Sequence, residues 1–81
     1  MAVPEPRTLR AAHDVVTSRR PKPDANLSVW LVFHQSNARM YEVISDVDRG
    51  HHHEALYWAD YERRKAAEVS AKIQGVKPKR Q

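Results

Sequence analysis

The sequence predicts an all-α protein: a short N-terminal helix packed on a long antiparallel helical hairpin, three helices in all, with dimerisation into a helical bundle as its expected assembly. Three observations predict it. The β-branched residues Val29, Val32, Val43, Ile44 and Val47 recur at helical spacing rather than in alternation, so no strand pattern survives. Pro21, Pro23, Gly50, Gly75 and Pro78 fall between or beyond the periodic stretches, where helix breakers belong. No internal repeat of useful length is present.

Each element has its own justification. Residues 1–7 read as a flexible N-terminus, and 8–74 as a single helical domain. Thr8 can cap a helix over about 9–18, whose apolar residues Leu9, Ala12, Val15 and Val16 share one broad face. Pro21 and Pro23 end it and stiffen the connection. Asp24 is a suitable N-cap for a second helix over about 25–47. Gly50 is the expected stop, and a third helix runs over about 51–74, closed by Gly75 and Pro78. Residues 75–81 form a basic tail, expected to be flexible.

The hairpin register follows from two seams. The second helix carries Val29, Phe33, Ser36, Met40, Val43 and Val47 at steps of three and four, and the third carries His51, Ala55, Trp58, Glu62, Ala66, Val69 and Ile73. Folding at Gly50 sets Val43 against Ala55, Met40 against Trp58, Phe33 against Ala66 and Val29 against Val69. Ser36 then faces Glu62, so the two polar interruptions form one polar layer. A carboxylate in an apolar seam needs a partner, and Ser36, Arg39 or the first helix is expected to supply it.

Composition excludes several classes of function. With no cysteine there is no disulfide framework, thiolate nucleophile or thiolate metal site. The longest apolar run, Val29 to Phe33, is far short of the roughly 20 residues of a membrane span, and Met1 to Pro6 does not read as a signal peptide. A cytoplasmic protein is expected. The formal charge of +4 is unevenly placed: Arg19, Arg20 and Lys22 hold a basic linker, Lys77, Lys79 and Arg80 a basic tail, while residues 24–74 carry six basic and eight acidic side chains. Nucleic-acid binding by linker and tail is therefore an alternative function rather than the leading one.

The run His51-His52-His53-Glu54 provides weak metal-ligand candidates, because consecutive histidines on a helix point in different directions. Protonation there would oppose the dipole of a helix N-terminus, and a metal or pH sensor is the third reading. Trp30, Tyr41, Tyr57 and Tyr61 lie off the hairpin seam and are candidates for an interaction surface. No phosphate loop, nucleophile elbow or catalytic triad is present, so no cofactor and no enzymatic activity are expected.

Two resemblances arise at these residues. The run from Asp46 through Asp48-Arg49-Gly50-His51-His52-His53-Glu54-Ala55-Leu56-Tyr57-Trp58 to Ala59, followed by Tyr61-Glu62-Arg63, resembles small actinobacterial proteins with no assigned activity, over about Leu9 to Ile73. The turn before His53-Glu54-Ala55-Leu56-Tyr57-Trp58 is similar to a junction between tetratricopeptide repeats, although the chain is too short for the three repeats a solenoid needs. The first implies a family without an activity; the second implies helical packing only. The function expected from the sequence is a non-enzymatic protein-interaction or regulatory module that self-associates and binds an unidentified protein partner, without membrane contact.

Overall fold

The computed structural model describes residues 5–75 and is all-helical over that range, with α1 at Leu9–Ser18, α2 at Leu27–Val47 and α3 at His52–Gln74. A 3-10 turn over Arg49–His51 joins α2 to α3. The two long helices pack along each other, and α1 lies mainly on α2. The Cα atoms span 38 × 35 × 15 Å, and the thin dimension fits two layers of helix, since one Cα cylinder is about 4.6 Å across and packed axes lie about 8–10 Å apart.

α1 begins as expected: the Thr8 hydroxyl accepts from the Ala11 amide at 3.1 Å, satisfying one of the free N–H groups of the first turn. Its buried residues, Leu9, Ala12 and Val16, recur at steps of three and four and give the helix one packing face. The start of α2 departs from expectation. Asp24 does not cap it; Asn26 occupies the N-cap position, without a side-chain bond. The reason is local, because Pro23 favours a turn in which the Ala25 amide reaches the Lys22 carbonyl at 2.9 Å, and Asp24 is taken up inside that turn.

The hairpin closes without help from glycine. Asp48, at φ −107° and ψ 75°, leaves the helical region and ends α2, while Gly50 has no positive φ and a Cβ added to it would meet nothing. Gly75 is the glycine that matters: at φ 72° it takes the left-handed conformation that closes α3, its amide bonding back to Ala71 and Lys72.

Along the axis the two helices stand where the sequence places them, since Glu62 is level with the stretch from His34 to Asn37. About the axis α2 is turned by one residue, roughly 100°. Its buried face is Phe33, Asn37, Ala38, Tyr41, Ile44 and Ser45, whereas Val29, Val32, Val43 and Val47 face outward. On α3 the expected seam largely holds, with Ala55, Ala59, Glu62 and Ala66 buried, but Ile73 is exposed and Val69 half-buried. Aromatic size explains the turn of α2. Phe33 and Tyr41 are buried and Trp30 packs beside them, and aromatic rings of this size remove about 150–250 Å² each from water, more than the valines would. The alanines of α3 make room for those rings.

Candidate functional site

At the centre of the fold a polar layer joins all three helices' worth of chain. The Glu62 carboxylate, 5% exposed, accepts from His34 Nδ1 at 2.6 Å and from Asn37 Nδ2 at 3.3 Å. The Asn37 side-chain oxygen in turn accepts two bonds from Arg19, Nη2 at 2.7 Å and Nε at 3.1 Å. Asn37 is fully buried, so its amide relays the Arg19 guanidinium at the end of α1 to the carboxylate on α3. Ser36, the expected partner of Glu62, is half-buried on the outer side of α2 and takes no part. Arg39 is exposed and takes none either.

Tyr41 extends the layer along α2. Its hydroxyl and His13 Nδ1 share a hydrogen bond of 2.7 Å, and His13 also meets the edge of Trp58 at a centroid distance of 5.2 Å. Burial pushes the Tyr41 hydroxyl up to about 12, the Glu62 charge adding to the shift and Arg19 opposing it. Among the described residues no buried side-chain nitrogen or oxygen lacks a partner. Within the layer His34 and Asn37 bond Glu62, and His13 bonds Tyr41.

The histidine turn is also tied down. His52 Nδ1 donates to the Ser45 carbonyl at 2.7 Å, linking the start of α3 to the end of α2, and His51 Nδ1 lies 3.0 Å from Asp48 Oδ2. Asp48 accepts from the Leu9 amide at 2.9 Å as well, and that bond, seconded by His51, holds its carboxyl below the ordinary range. His53 and Glu54 are exposed. Among the described residues no group of three or more His, Cys, Asp or Glu side chains is gathered to hold a metal ion. A protonated His51 meets the Asp48 carboxylate, which opposes the loosening expected from the helix dipole alone.

The other singled-out residues scatter. Tyr41, 1% exposed, belongs to the core and is not an interaction surface; Trp30, Trp58 and Tyr61 are half-buried, and Tyr57 is 58% exposed. In the linker, Arg19 is held by Asn37, and Arg20 stacks over the Phe33 ring at 5.6 Å, which leaves Lys22 as the one cation of the three without such a contact among the described residues. Lys77, Lys79 and Arg80 lie outside the described residues.

The structure leaves the outer seam of α2 uncovered, as it does Leu56, Tyr57 and Ile73 on α3. Val29, Val32, Val43 and Val47 are 47%, 59%, 52% and 44% exposed. With Ser36 and Met40 they line one face, and along it runs a groove walled on the α1 side by Val15, Arg19 and Pro21. Its deeper part is a concavity of about 300 Å³ that reaches Pro6, Arg39 and Val43. From Val29 to Val43 the seam is about 21 Å long. No helix among the described residues is long and apolar enough to cross a membrane.

Sequence reasoning found most of this seam, with Phe33 in it and Val32 left out, but assigned it to the hairpin. It missed His34, Asn37 and Arg19 as the partners of Glu62, and Asp48 as the link to α1. A usable signal was present, because Phe33, Asn37 and Tyr41 stand four residues apart and put a polar amide between two rings that must be buried. No protein-family model, no curated protein and no solved structure matches this chain.

Proposed function

We propose that this protein is a non-enzymatic helical docking module, which binds the helix of a protein partner along the outer seam of α2. One observation carries the reading. Four valines at helical spacing stand about half exposed in a single line, although the same helix has a complete buried face of its own. Apolar patches of this kind, rimmed by charge, mark interaction sites more often than ordinary surface. The polar layer supports the non-enzymatic part, since the Glu62 carboxylate is buried and bonded to His34 and Asn37.

Self-association through the same seam is a second reading, favoured by Ser36, whose small side chain lets a second copy of α2 approach closely. One pair of substitutions tests both. Val32→Glu with Val43→Glu charges the seam without touching the buried face, so the melting temperature is expected to stay within a few degrees of the wild type. A protein copurified from the host and then titrated in purified form should bind the wild type and not the double variant. If instead sedimentation shows the wild type to be a dimer and the variant a monomer, the second reading holds. Identical binding and identical mass for the two proteins would remove the seam from consideration.

A further inference from the structure

We infer that the occupant of the α2 seam is an acidic amphipathic helix from another protein, an inference that rests on the docking reading above. The charge around the groove points to it. Arg19 and Arg20 stand on the α1 side, the first lining the groove beside Ser36 and the second lying over Phe33, while Arg39 stands on the opposite rim. Among the described residues none of the three is in an ion pair, although Arg63, Arg64 and Lys65 elsewhere on the surface all are. Asn37, which holds Arg19, is neutral, so no carboxylate touches that guanidinium directly.

Cations therefore flank the seam on both sides near its middle. A helix laid there would bury its apolar stripe on Val29, Val32, Met40 and Val43 and present both flanks to guanidinium groups, which bind carboxylates bidentately. The one acidic residue lining the groove is Glu5, at the Pro6 end. The partner's carboxylates accordingly belong over the part of the groove near Val32 and Ser36, away from Glu5. A second copy of α2 fits less well, because an antiparallel copy centred on Ser36 sets the two Arg39 side chains near one another with no acid of α2 opposite them.

The test uses the full chain and two synthetic helical peptides of about five turns, ~18 residues, with the same leucine stripe, one flanked by glutamate and the other by lysine. In low salt the glutamate peptide should bind at least about tenfold more tightly, a preference that shrinks as salt is added. Arg20→Glu with Arg39→Glu should invert that preference, with a melting temperature lowered by no more than a few degrees through the lost contact of Arg20 with Phe33, and Val32→Glu should weaken both peptides. Equal affinity for the two peptides would overturn the acidic partner while leaving α2 as a docking surface. Failure of both peptides to bind overturns the inference, and the docking reading falls with it only if the seam variants also match the wild type in copurification. A wild-type dimer that Val32→Glu dissociates would make a second copy the occupant and overturn the inference as well.

Discussion

Asn37 does more than any other single residue to hold the three helices in one arrangement, because it is bonded to Arg19 on one side and to Glu62 on the other. Removing it takes one of two hydrogen bonds from a buried carboxylate, which keeps His34, and both of the bonds that hold the Arg19 guanidinium, and buried polar groups left short of partners cost about 1–3 kcal/mol each, more when charged. Asn37→Ala is therefore expected to destabilise by about 2–4 kcal/mol in urea denaturation, while Ser36→Ala, one position away, should stay within about 0.5 kcal/mol. Comparable losses at the two sites would restore Ser36 to the layer. Tyr41 makes a prediction in pH. Its hydroxyl is held near 12 when folded, against about 10 when unfolded, so between those values the folded state keeps a proton that the unfolded state has lost. Stability should fall as pH rises through that window. Phenolate absorbance should show one tyrosine titrating above the other two, and Tyr41→Phe should remove the late step.

At the scale of elements, the number, order and approximate limits of the helices were legible, and so was the axial level at which α2 and α3 meet. The face that α2 turns inward was not. Periodicity reports that residues share a stripe but not which stripe is buried, and α2 has two: a valine stripe of low polarity, and an aromatic one interrupted by His34, Asn37 and Ser45. Scoring polarity favours the first. The folded chain takes the second because every interruption finds a partner, His34 and Asn37 at Glu62 and Ser45 at the Glu42 carbonyl. The helix ends show a similar substitution of roles, with Gly50 idle and Asp48 breaking α2. Gly50→Ala should consequently be neutral or slightly stabilising, by up to about 1 kcal/mol, through the unfolded chain. Gly75→Ala, forced to positive φ, should cost about 1 kcal/mol. Thermal melts of the two variants check both, and a loss at Gly50 equal to that at Gly75 would contradict the turn described above.

Across the whole molecule, α1 is fastened to the hairpin at both ends and once between: the Leu9 amide at Asp48, His13 at Tyr41 and Arg19 at Asn37. Asp48 ionises more readily folded than unfolded, so its contribution is present at neutral pH and is lost as pH falls through its lowered folded value. Amide exchange should accordingly show α1 losing protection before α2 and α3 on acidification below the ordinary carboxylate range, and Asp48→Ala should remove that difference in pH dependence. Simultaneous loss of protection in all three helices would mean that α1 does not open separately. These fastenings also impose an order on assembly. All three anchor points lie on α2 or at its end, and α2 follows α1 in the chain. A chain that emerges with α1 first must therefore hold its earliest helix idle until the second has been made, and the buried face of α1 waits in solvent throughout that interval.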